Sequence, residues 1–280
     1  MFYNNVGEVV ADTVKQTAGK SDSGWILHHV MDSNSIDFEP FGTLHLPHLQ
    51  LFGMDISITK EVFFMWVVAA ILIAIIYIGS RRYKKSLIPH GLSNLIEIMI
   101  LFVRDEIVKP TIGNGYEKYL PYLLSTFFFI LLCNLFGLIP YAVTVTGNIA
   151  VTAALAMITF FVTQFSGIKS HGVVGYFKGL VPSGMPVAIL PLMVLVEILG
   201  LFTKPFALCI RLFANMIAGH VVILSLLGLI FILQTAWVAP VSIGFTLFIE
   251  LLELLVALIQ AYIFTILSSL FIGMAMHQEH

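Results

Sequence analysis

The sequence predicts an all-α polytopic membrane protein: five helices that enter the bilayer, the last two long and steeply tilted, and one amphipathic helix at the interface. Three observations carry that expectation. Of 280 residues, 59% are hydrophobic and 11% charged, with a mean hydropathy of +0.97; soluble domains are roughly 45–50% apolar and about 25% charged. Of the thirty Asp, Glu, Lys and Arg residues, twenty-two fall in 1–119 and eight in the remaining 161. Beyond the first sixty residues, apolar runs able to cross a hydrocarbon core of about 30 Å recur along the chain. A soluble globule would have too few charges to cover its surface. A net charge of −2 without a long basic stretch excludes a nucleic-acid binder. Two cysteines exclude a disulfide scaffold, and the hydropathy excludes a disordered chain.

Residues 1–60 read as an extracytoplasmic segment and 61–280 as the membrane domain. The first twenty residues have neither a basic start nor an apolar core, so they do not read as a cleaved signal peptide. His28, His29, His45 and His48 form two pairs, yet no Cys or carboxylate stands at ligand spacing. No metal is expected there, and the segment is read as lying against the bilayer surface. The first span, about 62–78, contains no charge and is followed by Arg81, Arg82, Lys84 and Lys85, a cluster that marks the cytoplasmic side. The N-terminus is then outside. Between Pro89 and Pro110, Leu92, Leu95, Ile96, Met99, Ile100, Val103 and Ile107 recur at helical spacing, with Glu97, Arg104, Asp105 and Lys109 largely elsewhere on the wheel. This pattern predicts the interfacial helix, over about 90–109.

Charge-free runs at 120–141 and 149–166 predict the second and third spans, joined by AVTVTGN, which lacks Lys and Arg and suits the outside. The loop 167–186 carries Lys169 and Lys178 and suits the inside. Gly or Pro at 172, 175, 179, 182, 184 and 186 predicts that this loop is not helical. The assigned inside segments hold nine Lys and Arg residues, the long outside N-terminal segment three and the short outside loops none. The C-terminus is therefore expected inside.

From Val187 to Leu233 and from Val241 to Met274 the chain is apolar, giving helices of about 70 Å and about 50 Å. Neither stands upright in the bilayer. Either Pro205 divides the first into two passes, or one kinked helix lies tilted. The polar residues favour the tilted helix: Glu197, Lys204 and Arg211 are spaced by seven and seven, and Asn215 follows by four. All four fall within about 40° on the wheel, a coherence that a reversal at Pro205 does not require.

Glu197 and Lys204 either snorkel to the inside interface or line an ion path. Arg211 lies far from either end of its segment, where a cation costs about 2.5–3.5 kcal/mol on insertion scales. It cannot shed its proton to escape that cost. It must face water or a carboxylate, in this chain or in a partner. His220, nine residues on, points about 180° away. In the last span Glu253, Ala257, Gln260 and Phe264 share a face, with Glu250 about 60° aside. Antiparallel packing of the two long helices brings His220 and Glu253 near one another, and an imidazole beside a carboxylate passes protons near neutral pH. No H-E-x-x-H, P-loop or dinucleotide fingerprint is present, and no Ser or Cys has an evident base partner. No cofactor is expected. Cys133 and Cys209 read as packing residues in different spans.

At these residues the sequence resembles subunit a of the F-type ATP synthases, over nearly the whole chain. The stretches that carry the resemblance are NLFGLIPY (134–141), TGNIAVTAALA (146–156), EILGLFTKPFALCIRLFANMIAGH (197–220) and ELLVALIQAYIFTIL (253–267), with ILHHVMDS (26–33) and ITKEVFFMW (58–66) in the N-terminal part. The resemblance implies a non-catalytic membrane stator that lies beside a rotating ring of c subunits in an energy-transducing membrane, the inner membrane of a bacterium. It implies contact with b-type peripheral stalk subunits and, indirectly, with the F1 sector. Arg211 stands where the family has its essential arginine, facing the ring carboxylates. Asn215, Gln260 and the pair His220/Glu253 stand at positions lining the half-channel open to the outside. Glu197 and Lys204 stand at positions toward the inside half-channel. The acid and the imidazole of the His220/Glu253 pair are exchanged relative to many members, and Gly137 stands where some have Asp.

Two other classes have distinct signatures. A secondary transporter would show two repeated halves with broken helices, and no such repeat is present. A membrane-embedded hydrolase would need a nucleophile or metal set, whereas His220 is alone within its span.

Overall fold

The computed structural model describes residues 35–38, 42–45, 50–51, 54–55, 59–83, 91–139, 144–179, 190–233 and 237–277. His28, His29, His48, Lys84, Lys85 and positions 182, 184 and 186 of the expected inside loop lie outside the described residues. Ahead of the membrane domain stand two antiparallel ribbons. β1 (Ser35–Phe38) pairs with β2 (Gly42–His45), and β3 (Gln50–Leu51) pairs with β4 (Met54–Asp55).

Among the described residues, five helices are long and apolar enough to cross a membrane. They are α1 (Lys60–Tyr83), α4 (Leu120–Gly137), α5 (Ile149–Gly179), α6 (Leu190–Leu233) and α7 (Val238–Met276). Between α1 and α4 lie α2 (Leu92–Phe102), a π-helical stretch Val103–Val108 and the single turn α3 (Lys109–Ile112). α7 is the central element and packs against α3, α4, α5 and α6; α1 leans on α4. The main core joins Val103, Ile107, Val108 and Ile112 to Leu123, Phe127 and Ile130 of α4, Leu208 and Leu212 of α6, and Ala261, Phe264 and Ile272 of α7.

The expected interfacial helix is divided in its packing. Leu95, Ile98, Leu101 and Phe102 remain exposed, while Val103, Ile107, Val108 and Ile112 are fully buried. The wider π turn brings Val103, Ile107 and Val108 onto one buried face, positions that a regular 3.6-residue helix spreads over about 140°. At the exposed side of this turn Arg104 grips Asp105 at 2.8 and 2.9 Å, a hydrogen-bonded pair that holds the Asp105 carboxyl below its usual range. The junction with α7 is close. A side chain at Gly273 would run into the carbonyl of Thr111, so glycine lets the two backbones touch. Thr111 Oγ1 meets Ser269 Oγ, and His277 Nε2 lies 2.9 Å from the Ile112 carbonyl oxygen.

Several hydroxyls buried along these helices are satisfied by their own backbone, as a solvent without hydrogen bonds favours. Thr126, Thr265 and Ser268 each donate to the carbonyl four residues earlier. α6 runs unbroken through Pro205, so the two-pass alternative is excluded. At about 1.5 Å per residue α6 and α7 are about 66 and about 58 Å long, twice the hydrocarbon thickness, and so must lie steeply tilted.

One expectation is corrected. Residues 167–179 are helical, not a loop. α5 continues to His171, reverses at Gly172 and resumes as a short helix that folds back. Gly172 has φ 72° and ψ 165°, a backbone region that is essentially glycine-only. The fold-back is held because Tyr176 lies on Gly167, where no Cβ would fit, and its hydroxyl donates to Gln164 Oε1 at 2.8 Å. Reading Gly172, Gly175 and Gly179 as helix breakers overlooked that one reversal lets the remaining residues stay helical.

Two rims result. At the first, α1 begins beside the 144–148 turn, where Asn148 Nδ2 donates to Glu61 Oε2 and Asn148 Oδ1 caps the Ala150 amide at 2.8 Å. At the second, α3, the α5 fold-back and the end of α7 meet; His171 Nε2 lies 2.9 Å from the Met276 carbonyl oxygen.

Candidate ion-translocation site

The predicted site residues fall on α6 and α7, whose pairing fixes their relations. Asn215 Nδ2 donates to Gln260 Oε1 at 2.9 Å, Gly219 faces Glu253, and Ser242 Oγ donates to the Leu226 carbonyl. Numbers rise along one helix as they fall along the other, so the pair is antiparallel. The Glu253 carboxylate occupies the space that a side chain at 219 would need. Its Oε1 is buried and has no hydrogen-bond partner among the described residues. His220 follows Gly219 and is partly buried. Glu250 is partly exposed, one turn before Glu253.

Lys204 and Glu197 line a pocket of about 470 Å³ with Thr163 and Gln164 of α5, Tyr176 of the fold-back and His277 at the end of α7. The Lys204 ammonium sits 5.6 Å from the centre of the Phe271 ring, a cation–π contact that steadies a charge at this depth. Pro205 and Leu201 also line the pocket. Proline removes the amide that would bond the Leu201 carbonyl, so that carbonyl is freed beside polar groups.

Arg211 stands between the two regions. Along α6 it is about 10 Å from Lys204, about 6 Å from Asn215 and about 12 Å from Gly219. Its flanking positions Leu208 and Leu212 are buried, while Arg211 itself is partly exposed. Among the described residues it makes no ion pair or hydrogen bond. The internal salt bridge that the sequence left open is therefore not formed with any described acid. Within about 40° of Arg211 on the wheel, Ala207, Ala218 and Val222 are exposed, a face of small side chains around the cation.

Several polar residues had not been assigned roles from the sequence. Asn134, fully buried, donates to the Ala257 carbonyl at 3.4 Å and accepts from Thr146 at 2.7 Å, tying α4 and the 144–148 turn to the Glu253 face of α7. An Asn inside an apolar span was the available signal. Gly137 lets Thr144 approach to within 3.0 Å of where a Cβ would stand, so Asp is crowded out there. Gln164 and Tyr176 of the pocket had no signal in spacing, because only the reversal at Gly172 unites them.

The ATP synthase A chain family matches this chain over residues 62–273, which contains α6, α7 as far as Gly273 and every site residue above except His277. The chain belongs to that family. The subunit a of Chloroherpeton thalassium ATP synthase is 55% identical over 258 residues, covering 91% of this chain and 77% of the relative. Subunit a 2 of the Chlorobaculum tepidum enzyme is 54% identical over 254 residues, covering 89% and 72%. The Anaeromyxobacter sp. subunit a is 45% identical over 291 residues, covering 91% and 71%. As a member of the ATP synthase A chain family, this multi-pass chain is a component of the proton-translocating Fo sector.

Proposed function

We propose that the chain conducts protons through two offset half-channels beside a ring of c-type proteolipids, with Arg211 controlling the ionisation of each ring carboxylate and blocking leakage. The observation that carries this reading is Arg211, unpaired among the described residues and set between two polar regions displaced along α6. A permanent cation at that depth calls for a counter-charge, and the exposed small-residue face around it suits the close approach of a partner helix. The partner is a helix carrying a carboxylate.

A protonated ring carboxylate is neutral and tolerates lipid; an ionised one does not. Arg211 attracts the ionised form, so the proton leaves as the carboxylate arrives opposite the guanidinium. Its fixed charge repels protons and denies them a direct route between the two regions. His220, Glu253, Gln260 and Asn215 serve the half-channel open to the outside, with Glu250 at its flank. Glu197 and Lys204 serve the one open to the inside. The nine Lys and Arg residues of the segments read as inside support a second rim that faces the cytoplasm of a bacterial cell, with the N-terminus outside. Each charge crossing 100 mV supplies about 2.3 kcal/mol, so several must cross per ATP made by the F1 sector, to which b-type stalk subunits hold this stator. The chain itself performs no covalent chemistry.

Arg211→Ala is expected to abolish ATP synthesis driven by an imposed pH gradient in vesicles carrying the whole complex. Persistence of that synthesis would remove Arg211 from the mechanism.

A further inference from the structure

The pocket at the second rim is bounded by a wall that is built rather than incidental. The reversal at Gly172 uses a backbone conformation other residues scarcely adopt, although open space surrounds that position. The constraint there is conformational, not steric. The returning helix is then anchored three ways. The Tyr176 ring packs on Gly167, its hydroxyl bonds Gln164, and His171 at the bend bonds the Met276 carbonyl. Tyr176 is 2% exposed. The pocket it borders holds Glu197 and Lys204, flanked by Thr163 and Gln164 from the outgoing arm and Gly179 from the returning one.

We propose that the helix folded back after Gly172 is a collar that limits entry to this pocket from the second rim to water and small ions, with Tyr176 as its positioning residue. The collar keeps lipid chains and bulky solutes from the Glu197/Lys204 pocket while leaving it wet. Tyr176 acts through its ring on Gly167, which seats the returning helix, and through Gln164, which it holds by the hydroxyl. The inference rests on the reading that Glu197 and Lys204 serve the inside half-channel.

The test uses the intact complex in inverted vesicles, with Cys133→Ala and Cys209→Ala as background and Thr163→Cys as the reporter inside the pocket. Silver ion added at the exposed second rim is expected to react with the reporter, whereas a bulky membrane-impermeant maleimide is not. Adding Tyr176→Leu or Gly172→Ala is expected to speed the maleimide reaction at least tenfold. Tyr176→Phe, which keeps the ring on Gly167, is expected to preserve the exclusion. Maleimide reacting as fast in the reporter alone as in the released variants would overturn the collar, as would a reporter that silver does not reach. ATP hydrolysis by the same vesicles verifies assembly, so that either released variant suffices. Survival of synthesis in Arg211→Ala would defeat the functional reading whatever the labelling shows; the labelling alone decides the collar.

Discussion

The two halves of α7 are equally apolar in sequence and opposite in use. From Ala257 to Ala275 most buried positions are small or hydroxylic, namely Ala257, Ala261, Thr265, Ser268, Ser269, Gly273 and Ala275, and the others are Gln260, Phe264 and Ile272. From Val241 to Leu255 the large side chains face outward, with Leu251 64% and Leu247 61% exposed, and only Ser242 and Thr246 are buried. In water this would be inside-out. In a bilayer lipid solvates leucine as well as another leucine does, so helices associate through small residues and close backbones, and bulky ones are left to lipid or a partner. The C-terminal half is scaffold. The N-terminal half carries Glu250 and, packed on Gly219, Glu253, and its large side chains form a surface that the other described residues leave uncovered, the surface to which the proposed proton path assigns its work.

That contrast is most sharply tested at the scaffold half. Gly273→Val drives a side chain into the Thr111 backbone, which cannot move as a side-chain tip can. A loss of about 1–3 kcal/mol is expected, read as a lower thermal midpoint for retention of the chain in the purified complex. An unchanged midpoint would mean that α3 is not docked on α7. The working half should respond differently. The three atoms nearest to a Cβ at position 219 all belong to the end of the Glu253 side chain, which can turn aside, so for Gly219→Ala the midpoint is expected to hold while proton-driven synthesis falls about tenfold, or about 1.4 kcal/mol of barrier. A fall in the midpoint equal to that of Gly273→Val would erase the distinction between the halves.

Smaller effects separate the two further. A double-mutant cycle between Thr111→Val and Ser269→Ala is expected to show a coupling of about 0.6 kcal/mol, typical of hydroxyl pairs between membrane helices. Additive effects would show that backbone proximity alone joins α3 to α7. Leu251→Ala removes a side chain that touches little of this chain and is expected to shift stability by less than about 0.5 kcal/mol. A larger loss in the isolated chain would place Leu251 inside a contact the fold does not contain.

Some of this was readable along the chain, and the reasons are local. The seven-residue spacing of Glu197, Lys204 and Arg211 survives Pro205 because a helix through proline keeps its register, and α6 is continuous. The face carrying Glu253 and Gln260 follows from the 100° step, and Asn215 and Gly219 meet it across the helix pair. The fold-back did not follow, since one glycine at an unusual dihedral outweighed the composition of the whole stretch. Nor did the π turn, whose extra residue per turn moved Val108 into the core beside Ile107.

The sequence by itself determined that this chain is a membrane protein with five long apolar helices and that a fixed cation sits among them, because hydrophobicity, charge placement and helical period are properties of consecutive residues. Only the tertiary structure decided that Arg211 lacks a partner among the described residues, that Gly219 yields its place to Glu253, and that Tyr176 returns to wall a pocket beside Lys204. Those facts depend on which surfaces meet across more than ten residues of chain, and in a bilayer small side chains and close backbones, which carry little signal in hydropathy, choose those surfaces.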